Sequence, residues 1–424
     1  MKKIYRTLQL IIPALMLMLF IQSCETGDLP TMENTKNDRE LWNYSFSTVS
    51  ALSLFNQPPA IDNNGYIYLI ADTQTGGDVI KLSPNGEEQW LKHENNFPLS
   101  RIIYSNNKLF YINDNALICR DASSGEKLWK SDAPGASTIF ALKGENIYTT
   151  KFVDEGFLGK NYLVKYNTNG DKIWEEWLKY SDTDTASFPN TISVNGNNIY
   201  VGILADEGNS EFAILSFTDE GDHPARNWSW LAPSGFSVGG GTPRIKEFAF
   251  DDDDNLLFGM SNGNTQYVFS VNAAGTENWH TETSLSNSIS SVTVDDEGNC
   301  FAAYGKCEKV NKDGVEWTSN ALKPDWDYTS LISKAPVIDD RGSLYFVDLS
   351  TMLTAVSPQG DSLWSQYYGC NLCNNEYHNL TISYRGDIIV ISKAGVTAFK
   401  GSGNEISGLG WPKVYGNLAN TGSR

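Results

Sequence analysis

The chain has 424 residues, 12% aromatic and 20% charged, with 36 glycines, 6 cysteines and 4 histidines. That length exceeds an ordinary single domain, and the glycine and aromatic excess favours many short strands joined by tight turns over a helical or α/β protein. A formal charge of −19 excludes nucleic acid as a natural partner, and histidines scattered at 93, 223, 280 and 378 argue against a hydrolytic triad or a histidine metal site.

The chain begins with a basic stretch (Lys2, Lys3, Arg6) and an apolar run from Leu8 to Ile21, broken only by Gln9 and Pro13. The run is short for a membrane span and has the proportions of a signal-peptide core. It ends in Ile21-Gln22-Ser23-Cys24, which resembles the lipobox of bacterial lipoproteins. The resemblance implies cleavage before Cys24 and acylation of its thiol, making residues 1–23 a lipoprotein signal peptide; an ordinary secretory signal or a signal anchor is the alternative. Residues 24–40 read as a polar, flexible tether. Glu25 follows the cysteine, with no aspartate to mark inner-membrane retention, so the expected address is the bacterial envelope, at the outer membrane.

From Leu41 to Arg424 the chain repeats itself as one domain. The phrase Ala60-Ile61-Asp62-Asn-Asn-Gly65-Tyr-Ile-Tyr68 followed by Ser83-Pro-Asn-Gly86-Glu-Glu-Gln-Trp90 returns as Val337-Ile338-Asp339-Asp-Arg-Gly342-Ser-Leu-Tyr345 and Ser357-Pro-Gln-Gly360-Asp-Ser-Leu-Trp364. Closing tryptophans are read at Trp90, Trp129, Trp174, Trp230 (with Trp228 as its competitor), Trp279, Trp317, Trp364 and Trp411, about 46 residues apart, a period typical of propeller blades. Each unit divides into four strands. Asp-x-x-Gly between the second and third of these, counted from the tryptophan strand, and Asn-Gly or Ser-Gly before the tryptophan are turn chemistry, so their aspartates are assigned to scaffold. The tryptophans are assigned to packing between blades. The fold expected is all-β, a propeller of eight four-stranded blades; the degenerate unit around Ser105–Trp129 leaves seven open.

Of the remaining cysteines, Cys300 and Cys307 flank a turn at Gly305 and are placed to bridge a hairpin, while Cys370-Asn-Leu-Cys373 is placed to close a small loop. A redox dithiol or half of a zinc site is the alternative, and Cys119 reads as a buried thiol. Gly239-Gly-Gly-Thr242-Pro243 lacks the lysine of a phosphate loop. Aromatics off the repeat phase (Trp177, Tyr180, Trp326, Tyr328 and Tyr367-Tyr368) are candidates for stacking on sugar rings or anchoring a peptide from a rim; packing beneath long loops is their ordinary role.

The phrases Asp121-Ala-Ser-Ser-Gly125-Glu-Lys-Leu-Trp129 and Asn167-Thr-Asn-Gly170-Asp-Lys-Ile-Trp174, with the tail Trp411-Pro412…Asn417…Thr421-Gly422, resemble the quinoprotein-like (PQQ-type) β-propeller repeat family over nearly the whole mature chain. Some members are PQQ-dependent dehydrogenases, which the family pattern marks with adjacent cysteines, a metal site of Glu, Asn and Asp, and a catalytic Asp. This chain has no adjacent cysteines, and its acid-rich Asp251–Asp254 falls at the Asp-x-x-Gly turn position. In size and address it is similar to the propeller lipoproteins of the outer-membrane β-barrel assembly machinery, which implies a scaffold that binds partner proteins. The expectation is therefore a membrane-anchored, non-catalytic binding or scaffold module for envelope proteins or glycan, with no catalytic residue and no cofactor, and with contact loops near 154–161, 177–190 and 231–245. The alternative is an enzyme with a central-channel site, either a dehydrogenase using PQQ with calcium or a polysaccharide-active protein.

Overall fold

Asp62 shows how the turn phrases become structure. Its Oδ1 accepts the backbone N–H groups of Asn64 at 2.9 Å and Tyr66 at 3.0 Å, and its Oδ2 accepts the Tyr68 hydroxyl at 2.9 Å. Gly65 supplies the left-handed residue at φ +82°. The turn joins Ala60–Ile61 to Ile67–Asp72, which continue into Gly77–Leu82 and Glu88–Glu94 as a four-stranded antiparallel meander. Asp339 repeats the arrangement, accepting from Arg341 and Ser343 N–H and from the Tyr345 hydroxyl. The aspartates of these phrases are scaffold.

This computed structural model describes residues 38–424 apart from 47–56, 74, 97–99, 133–138, 155–158, 181–186, 206–210, 238–246, 286–288, 290, 304–305, 320–334, 348–351, 368–378, 393–394, 409–410, 414 and 419. Its described secondary structure is all-β: eight sheets, blades 1 to 7 over residues 60–94, 103–132, 140–177, 187–231, 236–283, 293–318 and 337–367, and blade 8 over 379–399. Blade 8 is completed by Glu40–Ser45, which pairs antiparallel with Gly395–Phe399. The first strand of the propeller thus closes the ring against the last, removing the free edge a linear meander would leave. In blade 5 two short strands, Phe236–Ser237 and Ala249–Phe250, share the neighbour Leu256–Asn262.

The unit that looked degenerate is a regular blade built with different turns. Asn106-Asn107 (φ +47° and +59°) is a two-residue hairpin turn in place of the longer Asp-x-x-Gly loop, and Asp114-Asn115 (φ +51° and +57°) is a second two-residue turn at the next hairpin. Eight blades, not seven, form the ring.

Tryptophan packing follows one rule. An indole from the last strand of one blade lies against the turn glycine of the next and donates its N–H to a backbone carbonyl there. Trp90 donates to Ala122 O at 3.3 Å, Trp129 to Thr168 O at 3.2 Å and Trp317 to Pro358 O at 3.1 Å. A Cβ at Gly125 would stand 2.9 Å from the Trp90 ring, one at Gly170 3.0 Å from Trp129 and one at Gly360 2.7 Å from Trp317, so glycine is required by contact as well as by φ. Trp174 occupies the same ladder position but donates to the Asp219 carboxylate at 3.2 Å, because the longer fourth unit puts a side chain there; Trp279 and Trp364 hold the equivalent positions opposite Ser270 and Ala355.

Two tryptophan assignments are corrected. In blade 4 the docking residue is Trp228, which lies on Gly275 and donates to Ala273 O at 2.8 Å; a bulge after Ser216 shifts the register, and Trp230 turns into the core against Phe258 and Phe269. Trp411 closes no blade. The eighth docking indole is Trp42 on the closing strand, which covers Gly86 and donates to Pro84 O at 3.2 Å, so the repeat count was right and its phase at the ends was not.

The Cys300–Cys307 bridge is also corrected. The ladder sets Cys300 opposite Val310 and Cys307 opposite Ala303, so the thiols point to opposite faces of one sheet, into different core clusters, and both are free. Cys119 is a buried free thiol as expected, its ionisation pushed up to about 12 by burial. Cys24, Cys370 and Cys373 lie outside the described residues, as do the leader, the tether up to residue 37 and Gly239–Pro243.

A candidate binding face at the propeller axis

The inner strand of each blade is its first, and the chain's last residues cross these strands in turn. Ile61 N–H donates to Leu418 O, Leu142 N–H to Thr421 O and Ile338 N–H to Pro412 O, while Val294 and Trp411 exchange both backbone hydrogen bonds and Val194 is bonded to Gly422 and Arg424 (2.8–3.0 Å). Asn420 adds blade 2 through Ile102 O at 3.1 Å, and Arg424 adds blade 5 through Asp251 O. The tail is thus a strap over the axis, bonded to seven blades.

Beneath the strap, polar side chains that are remote in sequence meet in the interior. Arg101, ahead of the inner strand of blade 2, lies 3.8 Å from the centre of the Tyr415 ring. Glu247, ahead of Ala249–Phe250, accepts the Tyr415 N–H. Lys413 donates to Asn417 O at 3.2 Å and to Asn420 Oδ1, and Asn420 donates to Pro58 O at 2.7 Å. Burial pushes Glu247 up to about 7 and Lys413 down to about 7; attraction to Arg101 opposes the first shift and attraction to Glu247 opposes the second. No spacing in the sequence signals this cluster, since its members lie in three distant segments and meet only when the ring closes.

On the same face the strap leaves a cavity of about 690 Å³, whose walls include Ser105, Asn106, Lys143, Tyr384, Glu405 and Arg424. A second cavity of about 180 Å³, between the turns of blades 2 and 3, shares Ser105 and Asn106 with it and adds Lys108, Glu145 and Asn169. Lys143 donates to the Arg424 carbonyl, Arg424 is paired with Asp252, and Lys108 donates to Thr168 O at 3.2 Å. Sequence reasoning missed this site because its walls come from turns and tail, where polar residues carry no periodic signal.

Of the aromatics proposed for stacking, Trp177 and Tyr180 do not line it. Trp177 is half-buried at the outer end of blade 3, with Lys160 Nζ 4.9 Å and Lys179 Nζ 5.2 Å from its ring centre. Tyr180 packs against the core of blades 3 and 4, its carbonyl accepting from Arg226 at 3.0 Å. Trp326, Tyr328 and Tyr368 are outside the described residues, and the Tyr367 side chain is likewise not described. Among the described residues no group of three His, Cys, Asp or Glu is placed to hold a metal ion.

Eight antiparallel blades, five of them docked on a neighbour by an indole lying on a turn glycine, define the chain as a β-propeller. Residues 37–207 match the family model described as outer membrane protein assembly factor BamB. Among solved structures, BamB from Moraxella catarrhalis aligns over 84% of this chain and 97% of its own, with 13% identity and a TM-score of 0.55. Apo AztD from Citrobacter koseri aligns over 74% and 86%, with 9% identity and a TM-score of 0.51. At these identities the likeness is one of fold. No curated protein matches the sequence.

Proposed function

We propose that the chain is a lipid-anchored, non-catalytic binding propeller of the bacterial envelope, tethered through Cys24 and presenting its axial face to a partner. The observation that carries this reading is the strap. An enzyme reading calls for a site in the central channel, and there, among the described residues, the tail is bonded across seven blades over a buried Arg101–Glu247–Lys413–Tyr415 cluster. The larger cavity described on this face is walled in part by the strap itself, through Trp411, Asn417 and Arg424, and offers a partner a concave seat. The resemblance of residues 37–207 to an outer-membrane assembly factor supports an envelope address and a protein-binding role.

The test has two arms. Metabolic labelling with a fatty-acid probe is expected to mark the wild type and to leave Cys24→Ala unlabelled and released from the membrane fraction. In-cell crosslinking from Glu405 or Asn106 is expected to trap envelope components. Bound quinone absorbance with dehydrogenase turnover after incubation with PQQ and calcium overturns the non-catalytic reading.

A further inference from the structure

We propose that the two neighbouring axial cavities are a subsite for a neutral polysaccharide chain; this deepens the binding-module reading and rests on it. An extended peptide that adds a strand needs a free backbone edge. Here the inner strands of blades 1, 3, 4, 6 and 7 already give backbone groups to the strap, so that mode of recognition is taken. A polyanion needs unpaired cations, and the cations of these walls are engaged: Lys143 by the Arg424 carbonyl, Arg424 by Asp252, and Lys108 by Thr168 O. Glu145 and Glu405 add negative charge that repels acidic ligands.

What the walls present is chemistry suited to hydroxyl groups. Ser105 and Asn106 line both cavities, Asn169 lines the smaller one, and the partly buried ring of Tyr384, packed on the core between blades 8 and 1, lines the larger one with its hydroxyl donating to Asn63 Oδ1 at 3.1 Å. Side-chain amides and hydroxyls donate and accept in short reach, as a sugar's vicinal hydroxyls require, and a phenol ring offers a face to the apolar side of a pyranose. The volume of about 690 Å³ is that of a small-ligand pocket, and the neighbouring 180 Å³ cavity between blades 2 and 3 offers a second place for an adjoining unit of a chain. The Asn106-Asn107 turn, paired at both flanks into blade 2, fixes the backbone from which the Asn106 amide projects before any ligand arrives.

The test is calorimetric titration of the full chain in detergent with hexasaccharides of α-1,4-glucan, β-1,4-glucan, β-1,4-xylan, β-1,4-mannan and β-1,4-linked N-acetylglucosamine, beside hexagalacturonate and an unrelated hexapeptide. At least one neutral oligomer is expected to bind and the acidic one is not. Asn106→Gly, which removes the amide yet tolerates positive φ, and Tyr384→Ala should each weaken binding about tenfold or more, with Tyr384→Phe close to wild type and the thermal midpoint unchanged by Asn106→Gly. Failure of every neutral oligomer, preference for the acidic sugar or the peptide, or affinity untouched by both variants overturns the proposal. If sugars fail while the envelope crosslinks persist, the subsite falls and the binding-module reading stands; if the crosslinks fail as well, both fall.

Discussion

The contact between an indole and a turn glycine is the smallest unit on which this fold depends. In Gly125→Ala the added methyl meets the Trp90 ring at 2.9 Å while the backbone sits at φ +73°, so crowding and conformational strain act together. Denaturant titration should show a loss of about 2 kcal/mol or more, against a smaller loss of about 1 kcal/mol for the same substitution at Gly144, where a Cβ meets nothing within 4 Å and only the strain at φ +59° remains. Tryptophan four residues after glycine was readable in the sequence because both partners of the contact recur. Trp228 was not separable from Trp230, since the choice depends on a bulge that only the pairing reveals.

The buried ionisable pair makes a second residue-scale prediction. Glu247 is held up to about 7 from an ordinary 4.5, so the folded state keeps its proton longer than the unfolded chain and stability falls as pH rises from about 4.5 through 7. Lys413 is held down to about 7 from 10.5, so the unfolded chain binds its proton more readily and stability rises with pH from 7 towards 10.5. Glu247→Gln should flatten the acid-side fall in Tm, and Lys413→Met the alkaline-side rise, with thermal melts across pH 4.5–10 as the measurement.

At the scale of elements, the strap and the closing strand do separate jobs. Glu40–Ser45 pairs at the outer edge of blade 8, whereas residues 405–424 bond the inner strands. Truncation after Gly408 removes buried Trp411, Tyr415 and Leu418 and strips backbone partners from Ile61, Leu142, Val194, Val294 and Ile338. It should lower the unfolding midpoint sharply and release protection of those amides in hydrogen exchange, beginning with Val294, which is bonded to Trp411 in both directions. The Asp-x-x-Gly hairpins were legible because one aspartate organises each turn. Blade 2 was not, because a two-residue Asn-Asn turn joins its first two strands without the phrase. The tail's family-like residues were noticed, but their role as a strap was hidden, since a segment that crosses seven blades has no period of its own.

For the molecule as a whole, repetition secures the ring and leaves function to what interrupts repetition. Strands, turns and tryptophans follow from local rules stated by each unit, which is why the eight-bladed architecture could be anticipated from one chain. The axial face comes from turns of unequal type and a tail that occurs once, and its chemistry appears only in three dimensions.

Closure by the first strand also decides where mechanical load enters. In the anchored reading, tension from the membrane arrives upstream of Arg39 and meets the seam of blade 8, the one sheet not assembled from consecutive chain. Arg39 stands there as a strain relief: its carbonyl accepts from Lys400 N–H at 2.7 Å, its Nη1 donates to Lys400 O at 3.0 Å, and its guanidinium lies 4.3 Å over Trp364 of blade 7. A pull on the leash is therefore shared between two blades before it can peel the seam strand away.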